Sequence, residues 1–495
     1  MKTVFVLFDS LNRHMLGAYG GTRIPTPNFD RLAARTSVYE KHYVGSLPCM
    51  PARRDLLTGR LTFLHRSWGP LEPFDNAFPE LLKTKGVHSH LITDHYHYWE
   101  DGGATYHNRY STFDFIRGQE SDPWKAMVQP HWERLREKYH HNQTASGPIS
   151  KYNPYMINRE FIKREEDFPS VQCFARGLEF LDLNRDADNW LLQIETFDPH
   201  EPFFAPERFK EPFKTAWNGP IRDWPRYGRL DELPEEADEL RANYYAIVSL
   251  CDFLLGQLLD YFDENNLWKD TALVVTTDHG FLLGEHDFWA KNRMNMYEEI
   301  VHIPLFVHDP RNPGARRITR LTQAIDVAPT FLDLYGVEPP SEIQGSSLLL
   351  QQDTEALLFG YFGGAVNVTD GHFTYHRFPI DIETQEIFQY TLMPAHITQP
   401  FTPEELAAST LSPPFGWTKS APLLKVPVTK RSPMYANYGP GALLEKENRL
   451  YDLHIDPGQN TPLKDLVTER DMIRHMQKLM RANEAPPEAF ERLDI

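Results

Sequence analysis

The side chains with the most chemical potential in this sequence fall in a few short stretches. In "SLPCMPARRDLLTGR" (46–60), Cys49 stands two residues before Pro51 and four before Arg53, in a chain with only 3 cysteines. A buried structural thiol asks for apolar neighbours rather than a proline and a doublet of guanidinium groups. A redox pair or a zinc site asks for further cysteines at close spacing, and Cys173 and Cys251 are far away in sequence. In "TTDHGFLLGEHDFWAKN" (276–292), Asp278 and His279 precede a glycine that lets the backbone turn. A carboxylate and an imidazole so placed make half of a metal site, or a plain structural turn. Asp9 offers another oxygen, His200 of "DPHEPF" an imidazole, and Lys291 of "WAKN" a cation. Each of these also has a bland reading as a cap, a loop-packing residue or a solvated surface lysine.

The elements that must position these groups are legible from hydrophobic pattern. "TVFVLFD" (3–9) is a continuous apolar run with β-branched and aromatic residues, the pattern of a strand buried on both faces. "VHSHLITD" (87–94), "NWLLQIETF" (189–197), "TALVVTTD" (271–278) and "IPLFVHDP" (303–310) read as further strands. Between them, 26–36, 77–86, "CFARGLEFLDLN" and 244–262 carry helical spacing. Strands alternating with helices predict an α/β fold on a mostly parallel central sheet flanked by helices. Asp9, Asp94, His200 and Asp278 then fall at or just beyond the carboxyl ends of strands, the edge where open α/β sheets bind ligands.

The larger α/β domain is expected to span 1–350 and to include an irregular insertion at 110–170 rich in Trp, Tyr, His and Pro. After it, "ALLFGYFGGAVNVTDGHFTYHRF" and "RLYDLHIDPGQN" suggest short antiparallel strands, and "DMIRHMQKLMRANEAP" a helix, so 351–495 is expected to form a smaller α+β domain on an antiparallel sheet.

The chain has 495 residues, 51 Lys and Arg against 69 Asp and Glu, and a formal net charge of −18. That balance argues against nucleic acid as a partner. An anionic substrate would need a local cationic island, because the whole-protein field repels it. No stretch is expected to supply the about 20 apolar residues of a membrane helix. With few cysteines and no apparent leader, the protein is expected to be cytoplasmic, or periplasmic or secreted if a leader was removed.

The order of these motifs resembles the type I sulfatase family of the alkaline phosphatase superfamily: Asp at the end of strand one, C-x-P-x-R with "LLTGR", "PHEPF", "DHG…GEH…K…IPL", and a late "LYDLHIDP". The resemblance spans most of the chain. It implies an alkaline phosphatase-like fold and hydrolysis of sulfate monoesters of sugars, aryl or alkyl alcohols. It further implies that Cys49 is matured by a formylglycine-generating enzyme to 3-oxoalanine (formylglycine), whose hydrated gem-diol attacks sulfur. Asp9, Cys49 in its matured form, Asp278 and His279 would hold one divalent metal, Ca2+ ahead of Mg2+, Mn2+ or Zn2+. Arg53 would orient the diol, and His200 and Lys291 would contact the substrate's bridging and terminal oxygens.

Three departures bear on the substrate. Asp9 is followed by Ser10 rather than a second aspartate, His279 stands where many sulfatases have Asn, and the family's Gly-Lys-x-His substrate segment is missing. The first two resemble the branch with iduronate-2-sulfatase and the phosphonate monoester hydrolases, so cleavage of phosphonate monoesters or phosphodiesters is the alternative activity. A binding homologue that lost its chemistry is a third reading, and its mark would be a broken site; every expected position is filled here. In place of the missing segment stands "TDHYHYWEDGG" (93–103). Side chains two apart share a face of an extended segment, so His95 and His97, or Asp94 and Tyr96, are expected to bind substrate. The same residues also read as an aromatic wall.

Overall fold

The computed structural model describes residues 1–144 and 150–495. The strands that matter here are β1 (Lys2–Phe8), β2 (Ser37–Tyr43), β3 (Ser46–Leu47), β4 (His88–Thr93), β5 (Thr112–Phe115), β6 (Trp190–Thr196), β7 (Thr271–Thr277), β8 (Leu305–His308) and β9 (Arg316–Gln323). All but β3 form one eight-stranded sheet in the order β9-β2-β8-β7-β1-β6-β4-β5. Every pairing is parallel except those of β8, which runs antiparallel to β7 and β2. The mostly parallel sheet expected from the sequence is therefore present, with one reversed strand.

The alternation within β1 shows why its sequence is apolar throughout. Val4, Val6 and Phe8 enter one core, while Phe5 and Leu7 enter the core on the opposite face. The first core is covered by helices α1 (Pro27–Ala33), α4 (Pro169–Leu183) and α5 (Pro234–Glu264) through Phe29, Phe174 and Leu254. The second lies under α2 (Cys49–Thr58), α3 (Phe78–Lys83) and α6 (Val327–Leu334) through Leu56, Phe78 and Phe331. Because β1, β4, β6 and β7 are parallel, their carboxyl ends share one edge, and α2 begins there.

Two sequence expectations need correction. The helix α5 is 31 residues long and, by length and composition, apolar enough to cross a membrane; in the fold its apolar positions, from Ala237 to Phe262, are spent on the first core. The segment 110–170 is not uniformly irregular: β5 forms the edge of the main sheet, and Trp132–Glu137 and Tyr152–Arg159 are helical. Its residues 145–149 lie outside the described part.

A second sheet of five strands is built from β10 (Leu357–Tyr361), β11 (Val366–Thr369), β12 (Phe373–Arg377) and β13 (Arg449–Asp452), joined by β3. The pairings among β10 to β13 are antiparallel, whereas β3 runs parallel to β10, with Ser46 opposite Gly360. The segment just before Cys49 is thus stitched into the second sheet. Helix α7 (Leu466–Ala482) covers that sheet with Met472, Met476 and Met480, four residues apart on one face.

Candidate active site

Cys49 opens α2, a ten-residue helix that stops at Gly59, whose φ of +66° is the left-handed conformation that commonly ends helices. Its place at the amino end exposes residue 49 to the positive pole of the helix. Arg53 follows one turn later on the same face. The loop after β1 delivers Asp9, and the loop after β7 delivers Asp278 and His279, all wholly buried. One ligand-capable atom from each of Asp9, Cys49, Asp278 and His279 lies within 4.8 Å of every other. The four residues expected to share a metal are brought together.

Their hydrogen bonds fix their orientation. His279 Nδ1 lies 2.9 Å from the Gly280 carbonyl, so it carries the proton and donates. Nε2 is left as an acceptor, 3.3 Å from Cys49 Sγ. Asp278 Oδ1 accepts from the backbone N–H groups of His279 at 2.8 Å and Ser10 at 3.1 Å. Ser10 adopts φ +62° and donates its hydroxyl to Asp9 Oδ1 at 2.7 Å. Asp9 Oδ2 is buried with no hydrogen bond. That oxygen, which has an ion pair with Arg53 but no hydrogen bond of good geometry, and the neutral imidazole lone pair suit a divalent cation, and the mixture of two carboxylates and one imidazole admits calcium, magnesium, manganese or zinc.

Two cations flank this set. Lys291 follows the short strand Phe288–Ala290 and donates to Ser10 Oγ at 3.0 Å, His279 Nε2 at 3.1 Å and Cys49 Sγ at 3.2 Å. Burial disfavours its charge, but Cys49, Asp9, Glu201 and Asp278 outweigh that and hold the ammonium above its usual range. Arg53 pairs with Asp278 Oδ2, with Glu195 Oε1 at 2.7 Å and with Asp9 Oδ2 at 3.0 Å.

The carboxyl groups respond unequally. Burial and the nearby Asp9 charge push Asp278 up to about 7. Burial also acts against Asp9, yet Lys291 and Arg53 prevail and keep it ionised. Burial, then the charge of Asp9, raises the Cys49 thiol far above its usual value, so the unmodified residue is a poor thiolate nucleophile. His200 is kept neutral by burial and by Lys291, and its Nδ1 lies 2.6 Å from the Glu201 carbonyl.

A cleft of about 1280 Å³ opens above this centre, lined by Cys49, His200 and Lys291 among others. The four residues expected to bind substrate divide. Tyr96 and His97 line the cleft, while Asp94 and His95 do not. Asp94 is wholly buried and accepts from the Phe197 N–H at 2.7 Å, and His95 Nε2 lies 3.3 Å from Met50 Sδ. The expected alternation fails because Tyr96–Trp99 forms a turn of 3-10 helix rather than an extended strand.

Glu195 was not among the residues expected at the site from sequence. It sits near the end of β6, wholly buried, and its carboxylate accepts from Arg53, from Tyr98 Oη at 3.2 Å and from Gln193 Nε2 at 3.0 Å. The available signal was a carboxylate inside the otherwise apolar "NWLLQIETF".

A parallel-sheet edge carries two buried carboxylates, an imidazole and two cations around residue 49, in an alkaline phosphatase-like α/β fold. The family model described as Sulfatase matches residues 2–337, so the chain belongs to the sulfatase family and is a sulfuric ester hydrolase. It is 26% identical to an N-acetylglucosamine-6-O-sulfatase of Bacteroides thetaiotaomicron, over 70% of this chain and 69% of the relative. It is 28% identical to the multifunctional alkaline phosphatase superfamily protein PehA of Trinickia caryophylli, over 68% and 73%. Among solved structures, a protein in complex with its substrate D-glucosamine-2-N,6-O-disulfate aligns with a TM-score of 0.65 at 15% identity, over 98% of this chain and 99% of that one. A phosphonate monoester hydrolase from Silicibacter pomeroyi aligns with a TM-score of 0.62 at 18% identity, over 98% and 95%.

Proposed function

We propose that the protein hydrolyses sulfate monoesters through residue 49 matured to formylglycine, which requires a formylglycine-generating enzyme as a transient partner. The observation that carries this reading is the convergence of Asp9, Cys49, Asp278 and His279 within 4.8 Å, with Lys291 3.2 Å from Sγ. A divalent cation held by Asp9, residue 49, Asp278 and His279, calcium by family resemblance, would make the diol hydroxyl more acidic and offset the charge of the sulfate group.

One hydroxyl of the hydrated residue 49 attacks sulfur, forming a new O–S bond as the ester O–S bond breaks. Lys291 is placed to donate a proton to the departing alkoxide and to stabilise charge on the terminal oxygens. His200, neutral and fixed by its Nδ1–H on the Glu201 carbonyl, offers an Nε2 lone pair suited to accept a proton released by the hydroxyls of residue 49. The second hydroxyl of residue 49 then loses its proton, its C–O bond becomes a carbonyl, and sulfate leaves by C–O cleavage. Water adds back to the aldehyde, so one difficult displacement becomes two easier steps.

A phosphonate monoester or phosphodiester is the second candidate substrate. It keeps more negative charge on its terminal oxygens and rewards a richer cationic set. Arg53 is already engaged by three carboxylates, which leaves Lys291 as the main cation beside residue 49 and favours sulfate. Turnover of an aryl sulfate faster than of the matching phosphonate monoester is expected.

The test is Cys49→Ala beside correctly matured wild-type protein. Intact mass of the active form should show the loss of one sulfur and two hydrogens and the gain of one oxygen, and the variant should release no sulfate. Undiminished release by Cys49→Ala rejects the mechanism.

A further inference from the structure

The second sheet carries a cluster of ligand-capable side chains that takes no part in the chemistry described above. Strand β13 is the outer strand of that sheet, and its last residue, Asp452, lies opposite Phe373 at the start of β12. His372 stands just before this pair and His454 two residues after Asp452. One ligand-capable atom from each of His372, Asp452 and His454 lies within 4.8 Å of every other. Two imidazoles and a carboxylate suit a zinc-like divalent ion, whereas calcium asks for six or more oxygens.

Backbone hydrogen bonds hold the three positions in place. In the turn that opens β12, Asp370 Oδ1 accepts from the N–H groups of His372 at 2.8 Å and Phe373 at 2.7 Å. The His372 carbonyl accepts from the Leu453 N–H at 2.8 Å, which ties this turn to the chain leaving β13. Asp452 Oδ1 accepts from the N–H groups of His454 at 2.9 Å and Ile455 at 3.3 Å, so one carboxylate shapes the turn that presents His454. His372 Nε2 lies 3.2 Å from Asp452 Oδ1. Two ligands of a tetrahedral zinc ion, with bonds of about 2.0 Å, stand about 3.3 Å apart, so this pair is already at the right separation. The His454 ring stacks on that of His372, with centroids 4.0 Å apart and planes 17° from parallel. Rings so nearly parallel do not aim their lone pairs at one point, and His454 has to swing about its side-chain torsions to complete the site. It is exposed, and stacking is the contact that its ring makes, so the swing is open to it.

We propose that His372, Asp452 and His454 bind one zinc-like divalent ion at the outer edge of the second sheet. The ion would clamp β13 to the turn that opens β12, with water on its open face, and would take no part in the reaction at residue 49. This inference is independent of the sulfate-monoester reading.

Calorimetric titration with Zn2+ in calcium-containing buffer tests it, on wild type, His372→Ala, His454→Ala and Asp9→Asn, with thermal midpoints in chelator checking the fold. Wild type and Asp9→Asn should each bind a zinc ion that both histidine variants bind at least about tenfold more weakly. Zinc should also raise the thermal midpoint of wild type by more than that of His454→Ala. Sulfate release by His454→Ala, assayed without zinc, should match wild type. No zinc uptake by wild type, or equal uptake by wild type and both histidine variants, overturns the proposal. Loss of the same equivalent in Asp9→Asn overturns it too, because the ion then belongs to the reacting centre. Weakening by His372→Ala with none by His454→Ala rejects the three-residue site. If His372→Ala fails to fold, the exposed His454→Ala decides alone.

Discussion

Arg53 is surrounded by more negative charge than it carries. Its guanidinium meets Glu195, Asp278 and Asp9, and it is 1% exposed. Two of those carboxylates belong to the proposed metal set, so Glu195 is the partner free to serve Arg53 alone. A buried ion pair broken on one side leaves the other charge without compensation. Glu195→Gln should therefore cost about 1–3 kcal/mol of stability and lower kcat/KM roughly tenfold, as Arg53 drifts from residue 49. Urea denaturation and steady-state kinetics measure both. Unchanged values would mean that Asp9 and Asp278 suffice to hold the guanidinium. The pairing itself was not readable from sequence, because Arg53 and Glu195 lie 142 positions apart.

At the scale of elements, the helix α2 carries both Cys49 and the tie that fastens its approach. Asp55 Oδ2 accepts from the Ser46 N–H at 2.6 Å, linking the helix to β3 across the turn that presents residue 49. Burial pushes the Asp55 carboxyl from 3.8 to about 7, against hydrogen bonds from Ser46 and Thr62 that pull it down. Below pH 3.8 both folded and unfolded chains hold this proton. From there to about pH 7 only the folded chain does, so this group's contribution to stability falls as pH rises through that window. Asp55→Asn keeps an acceptor for Ser46 and removes the titration. The variant should gain on wild type by up to about 4 kcal/mol between the two ends of the window. Denaturant midpoints at several pH values measure the difference, and parallel pH profiles would contradict it. Strands β1, β6, β7 and β8 were legible as largely apolar runs, since burial on both faces favours apolar side chains, and β4 was legible although His88 and His90 interrupt its run. Helix α2 was not singled out as a helix, because "CMPARRDLLT" has a proline and two arginines where an apolar stripe would be sought.

For the whole molecule, a net charge of −18 surrounds a site built to take an anion. The general field slows approach, and Lys291 acts only at close range. Raising salt from about 10 mM to about 150 mM shortens the screening length from about 30 Å to about 8 Å. The value of kcat/KM for a sulfate monoester should then rise roughly threefold. A fall would mean that cations at the cleft mouth, Lys125 and Lys151 among them, outweigh the global charge. By itself the sequence determined the chemistry-bearing motifs and the strand ends that present them, since a strand buried on both faces and a group placed just beyond it are local facts. The tertiary structure alone decided which of residues 94 to 97 face the cleft and that Glu195 holds Arg53. Those outcomes depend on how a turn coils after its strand and on which distant segments pack against it, and no local pattern encodes either.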